Sequence, residues 1–94
     1  MSKTATRKIL RELDPENVTP DELIDCFKDH VRGGFALNGN FELARRLIRG
    51  VGFNKDEKKI MRGLAQEGVV AQDAKKNEGA ARNYRSIIRV LRER

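Results

Sequence analysis

Apolar side chains recur along this chain at intervals of three and four, the spacing that gathers them on one face of an α-helix. Ile9, Leu10 and Leu13 follow that spacing over residues 4–13 and predict a first helix, which the Asp14-Pro15 pair interrupts. Thr19-Pro20-Asp21-Glu22 reads as a capping box. The Thr hydroxyl accepts from the backbone three residues on, Pro takes the first helical position and Glu reaches back. The helix it opens buries Leu23, Ile24, Phe27 and Val31, shows Asp21, Asp25 and Asp29 to water, and stops at Gly33-Gly34. A loop rich in Gly and Asn over 33–40 leads to a helix over 41–49, with Asn40 as its N-cap. Phe41, Ala44, Leu47 and Ile48 face inward there, and Arg45, Arg46 and Arg49 lie on the other side. Gly50-Val51-Gly52-Phe53 predicts a short turn, and Asn54 with Glu57 three residues on predicts a further helix running to Gly68.

Beyond Gly68 two readings stand. Val69-Val70 suits a short strand with Asn77-Glu78-Gly79 as a turn, but from Arg82 onward Tyr84, Ile87, Ile88 and Leu91 fall at helical spacing. That spacing favours a C-terminal helix. The expected fold is all-α or mainly α: a compact bundle of four to five short helices, with a short β-wing after Gly68 as the variant. At 94 residues the chain has the size of one domain, taken as residues 1–94, and can enclose only a modest core.

Composition narrows the setting. Cys26 is the only cysteine, which excludes an internal disulfide framework and points to a reducing, cytoplasmic compartment. No apolar run follows the basic N-terminus, and no stretch nears the roughly 18 residues of a membrane span, so neither export nor insertion is expected. Without an export signal the acceptor-like Asn17-Val18-Thr19 has no meaning.

Charge changes the picture more. The net charge is +6, and it is polarised. Residues 1–11 hold four basic groups and no acid, residues 12–29 seven acids against Lys28 alone, and residues 30–94 fifteen basic groups against seven acids. Such segregation creates a positive field that attracts polyanions and a negative patch that repels them. Lys55, Lys58, Lys59 and Arg62 fall at i, i+3, i+4 and i+7, opposite a face made by Ile60, Met61 and Leu64. They should point to solvent while Ile60 and Leu64 are buried. At 1.5 Å per residue the four charges span roughly 10 Å, enough to follow a phosphate backbone or lie in a DNA major groove. Arg82, Arg85, Arg89 and Arg92 repeat the device beside the C-terminal apolar seam, with the guanidinium fork that suits phosphate. A single charged stripe is what any solvated amphipathic helix shows. Two stripes nearly free of carboxylates, on a basic chain, favour a polyanion-binding surface.

The stretch from Phe41 resembles a helix-turn-helix, in a winged form. Phe41-Glu42-Leu43-Ala44-Arg45-Arg46-Leu47-Ile48 corresponds to the supporting helix, Gly50-Val51-Gly52-Phe53 to the turn and residues 54–67 to the recognition helix. Gly63-Leu64-Ala65-Gln66-Glu67-Gly68-Val69-Val70 is similar to the passage from recognition helix to wing. The resemblance covers residues 41–90 and implies a DNA-binding regulator. It also implies a hairpin with its tip at 74–81 and a returning strand at 83–90, where this chain departs, because Tyr84, Ile87 and Ile88 prefer a helix.

Nothing resembles an active site, and no cofactor or metal is called for. His30 stands four residues after Cys26, but no further His or Cys completes a metal site. Gly34 and Gly39 have the spacing of a phosphate loop, yet Asn40 and Phe41 stand where Lys and Ser or Thr are needed. The acidic helix lacks the Asp/Asn loop of a calcium site. The expectation is a non-enzymatic nucleic-acid-binding protein acting through Arg45, Arg46, Arg49, Lys55, Lys58, Lys59, Arg62, Arg82, Arg85, Arg89 and Arg92. Few aromatics are available for stacking, which favours DNA over RNA. The alternative is a small adaptor or inhibitor that docks another protein through Asp21, Glu22, Asp25 and Asp29 or through its arginine helix.

Overall fold

In the computed structural model, residues 10–36 and 40–92 are described. Four α-helices make up this part: α1 (Pro20–Arg32), α2 (Phe41–Val51), α3 (Lys55–Ala74) and α4 (Glu78–Arg92). They are preceded by one 3₁₀ turn, Leu10–Glu12. The first predicted helix lies mostly outside the described residues, and its described end is that single turn, which buries Leu10, with Leu13 buried just after it. No strand occurs among the described residues. The fold there is the expected all-α one.

The strongest local signals act as the sequence dictates. Thr19 caps α1 by accepting from the Glu22 amide at 3.1 Å, and the Glu22 carboxylate accepts from the Thr19 amide at 3.4 Å. Asn54 and Glu57 repeat the exchange at the start of α3, at 2.8 and 2.9 Å. Each box satisfies amide donors that a helix start otherwise leaves open. Asn40 stands at the N-cap position of α2 but makes no side-chain capping bond. Helix α2 also runs two residues further than predicted, through Gly50 to Val51, before Gly52 takes a left-handed φ of 72° and stops it.

The largest departure lies after Gly68. Helix α3 passes straight through Val69 and Val70 to Ala74, so no wing forms and Val69-Val70 is not a strand. Val69 lies buried on the inner face and Val70 exposed on the outer one. The predicted Asn77-Glu78-Gly79 turn is instead the start of α4: Asn77 Oδ1 accepts from the Ala80 amide at 3.2 Å, and Ala80 and Ala81 are fully buried. The connection is Lys75, Lys76 and Asn77, with Lys76 at φ 59°. α4 therefore begins four residues before Arg82, and its length lets it pair with α3 as an antiparallel hairpin.

Contact with Tyr84 fixes how closely the hairpin can close. A Cβ on Gly68 would stand 2.7 Å from the Tyr84 ring, so only glycine lets the two helices approach this far. Phe27 of α1 meets the same ring edge-on, with centroids 6.0 Å apart. α1 packs across α3, while the backbone of α2 approaches α4 and α1 more closely than α3. The core comprises Leu23, Phe27, Leu47, Met61, Ala65, Tyr84, Ile87 and their neighbours. Ile24 and Phe41, expected inside, are only partly buried against it. Ile60 is a clear miss: it is 51% exposed, and the inner position falls to Met61 instead.

Candidate polyanion-binding surface

An antiparallel hairpin brings the start of α3 beside the end of α4. The two ends of this hairpin differ in how their charges are used. At the end formed by the last turns of α3 and the first of α4, several polar side chains are engaged within the protein, while Lys76 and Arg82 are exposed with no ion pair among the described residues. Arg85 bridges Asp73 at 3.2 Å. Gln72, nearly fully buried, donates to the Gly34 carbonyl at 3.2 Å, and Lys75 Nζ donates to the same oxygen at 2.7 Å. The Tyr84 hydroxyl donates to the Phe35 carbonyl at 2.6 Å. Burial raises the Tyr84 hydroxyl well above its usual range, so it stays protonated as a donor. These bonds hold the segment after α1 against the hairpin.

His30 secures that segment from its other side, its Nε2 2.9 Å from the Ala36 carbonyl. Burial lowers the pKa of its ring below the ordinary histidine value, and the Ala36 contact opposes this in part. Its ring also lies against Phe35, with centroids 5.6 Å apart. His30 is thereby a packed side chain, and Cys26 is buried. Among the described residues no three His, Cys, Asp or Glu side chains come together as a metal site.

At the opposite end the cations face outward. The side chains of Lys55, Lys59, Arg62, Arg89 and Arg92 make no ion pair or hydrogen bond among the described residues. Lys55, Lys59, Arg89 and Arg92 are exposed, and Arg62 is half-buried along its stem. Arg49 of α2 and Lys58 of α3 line one cleft of about 340 Å³, floored by Ile48, Phe53, Val90 and Leu91. Arg45, Arg46 and Arg49 line a shallower hollow on the outer side of α2, next to Glu42. Arg45 pairs with Glu42 and lies 5.7 Å over the Phe41 ring, whereas Arg46 is exposed with no ion pair among the described residues.

The eleven candidate cations therefore do not form one surface. The cleft joins Arg49 to Lys58 and to Val90 and Leu91 of α4, and the hollow joins Arg49 to Arg45 and Arg46 beside Glu42. Lys55, Lys59 and Arg62 stand in the first half of α3 with exposed Asp56 among them, and Arg89 and Arg92 in the last turns of α4. Arg82 and Arg85 belong to the first half of α4. At 1.5 Å per residue Arg85 lies roughly 10 Å along the axis from Arg92, and its charge is matched by Asp73. Sequence spacing put all four α4 arginines on one stripe but carried no sign of which would find an acid across the hairpin. The Arg32–Glu67 bridge, at 3.2 Å between α1 and α3, went unread for the same reason. It raises the pKa of the Arg32 guanidinium, through the hydrogen bond first and the charge second.

The acidic residues keep apart. Asp21, Asp25 and Asp29 lie exposed on α1, with Asp25 4.0 Å from Lys28, while Glu22 is held in the capping box. Among the described residues no helix is long and apolar enough to cross a membrane. No family model matches the chain, and no curated protein or solved structure shows significant similarity to it.

Proposed function

We propose that this chain is a non-enzymatic nucleic-acid-binding protein, with DNA favoured over RNA: a small DNA-binding regulator that contacts the phosphate backbone through its basic helices. The observation that carries this reading is the segregation of uncommitted cations. Arg46, Lys55, Lys59, Arg62, Arg89 and Arg92 lack acidic partners among the described residues; Arg46 shares a hollow with Arg49, and Arg49 shares a cleft with Lys58 and the last turns of α4. Ordinary surfaces intersperse both signs, and leaving so many like charges together weakens the folded state through self-repulsion. A polyanion relieves that repulsion and releases its own counterions on contact.

The cations belong to three helices, so the supported mode is contact with successive phosphates along a duplex. With few aromatics on the chain, base stacking has little to offer. Salt provides the test. If about six phosphates are neutralised, affinity for a random duplex should fall roughly 10³-fold between about 50 and 200 mM salt. Lys58→Glu with Arg62→Glu should weaken binding and flatten that slope, whereas Asp21→Asn with Asp25→Asn should leave it intact or strengthen it.

A second reading draws on the exposed, segregated carboxylates of α1: an adaptor or inhibitor that docks a basic protein surface. It predicts no duplex binding near physiological salt, and loss of a protein partner when Asp21 and Asp25 are neutralised.

A further inference from the structure

The outer face of α3 carries a pattern that neither the core nor the cationic surface uses. Asp56, Ile60, Gly63, Glu67, Val70 and Ala74 follow one another at intervals of four, three, four, three and four, and all six are exposed. That is the spacing of a helix-pairing seam, on the side of α3 away from α4 and bordered at Glu67 by Arg32 of α1. Ile60 and Val70 are 51% and 60% exposed, two of the three large apolar side chains so exposed among the described residues. At Gly63, between them, a Cβ would meet nothing within 4 Å, so a second backbone can approach there.

We infer that this face is a self-association surface, on which α3 of a second copy of the chain packs antiparallel around a two-fold axis near Ala65. The seam is symmetric about that point. Ile60 then meets Val70 of the second copy, Gly63 meets Glu67, and Asp56 meets Ala74, each contact made twice as a two-fold interface requires. Glu67 is compatible with the seam because its carboxylate is drawn aside to Arg32 at 3.2 Å and the residue opposite it is glycine.

Charge selects the antiparallel direction and the identical partner. Along one flank of the seam lie Lys59, Gln66 and Asp73, with the cation at one end and the acid at the other. Antiparallel pairing sets Lys59 beside Asp73 of the second copy at both ends and Gln66 beside Gln66 at the axis. Parallel pairing would oppose like charges at each end, which is unfavourable. Lys59 has no ion pair among the described residues, and Asp73 is exposed while it bridges Arg85. A single helix pair makes a small interface, so a weak, concentration-dependent dimer is expected, with a dissociation constant on the order of 0.1 mM or tighter.

The inference stands apart from the nucleic-acid reading. If both hold, Lys59 is taken by Asp73 of the second copy and leaves the duplex-contacting set, and Lys55, Lys58 and Arg62 of the same stripe meet the duplex beside the dimer interface.

Sedimentation velocity on the full chain, from about 1 µM to about 1 mM, should show a monomer–dimer equilibrium. Val70→Glu should shift it at least about tenfold toward monomer with unchanged far-UV helicity, since the site is exposed. Lys59→Asp should weaken the dimer, and adding Asp73→Lys should restore it. Register is tested by mild oxidation, with the wild-type chain as the control for Cys26. Gln66→Cys should form a disulfide-linked dimer. Lys59→Cys should not, because its two copies lie roughly 20 Å apart along the axis. A monomer throughout the concentration range, a dimer unaffected by Val70→Glu, or bridging by Lys59→Cys in place of Gln66→Cys would each overturn the inference.

Discussion

The two ends of the α3–α4 hairpin are built from similar residues and differ in what those residues touch. Where α3 ends and α4 begins, Asp73, Lys75, Arg85, Gln72 and Tyr84 are all bonded within the protein, and they fasten the Gly34–Phe35 segment to the hairpin. Where α3 begins and α4 ends, Lys55, Lys59, Arg62, Arg89 and Arg92 face solvent without acidic partners among the described residues. The first end binds its polar side chains into the fold. The second is held by the Asn54–Glu57 capping box and by buried Phe53, Met61 and Leu91, with its cations left at the surface. A basic residue therefore informs about function only once its neighbours are known: Arg85 and Arg89 lie one helical turn apart, and Asp73 separates their roles.

The comparison breaks most visibly at Gly68. Gly68→Ala should destabilise the fold by about 1–3 kcal/mol, because the added methyl must displace the Tyr84 ring that closes the hairpin, and a denaturant titration will read the loss. Tyr84→Phe should cost about 1 kcal/mol by removing the donor to the Phe35 carbonyl while leaving the ring packing intact. Protection of amides near residues 34–36 from hydrogen exchange should fall in the same variant. Thr19→Ala should also cost about 1 kcal/mol, and thermal melts check it; this cap lies outside both ends and measures the local contribution alone.

pH acts on the fastened side through His30. Its folded pKa lies below the unfolded value, so the unfolded chain binds the proton more readily. The associated stability is complete above the unfolded pKa near 6.5 and is lost as pH falls through the folded value. The melting temperature should drop on acidification across that window, and His30→Gln should remove that component of the drop. The smallest effect belongs to the other end. Arg89→Glu should change stability by no more than about 0.5 kcal/mol, yet weaken duplex binding if that end is the binding surface. A large loss of stability would show that Arg89 is structural and erase the contrast.

Much of the fold could be read locally. Thr19 with Glu22 and Asn54 with Glu57 announce two helix starts, because a capping exchange involves only four consecutive residues. Leu23, Phe27, Leu47, Leu64, Tyr84 and Ile87 fall at core spacing and are buried. The wing stays open as a variant in the sequence because Val69-Val70 has β-branched side chains and follows a glycine, both local marks of a strand. Gly68 instead serves helix packing, and its reason stands sixteen residues away in Tyr84. Ile60 was misplaced because residues 60 and 61 border the same stripe, and apolarity alone does not choose between them. The candidate cations were legible as residues and as helical stripes, but not as a surface.

The helical class, the capped starts of α1 and α3, the apolar seam of α4 and the polarised charge are all legible along the chain, since each depends on side chains within a few residues of one another along the backbone. Tertiary packing sets that α3 and α4 close as a hairpin across Gly68, that Arg85 and Arg32 find acids while Arg62 and Arg89 find none among the described residues, and that Ile60 and Val70 remain on the outer face. Those outcomes depend on which faces meet. That choice is made by the joint burial of all four helices, whose energy belongs to pairs of residues far apart in the chain and so leaves no periodic trace in it.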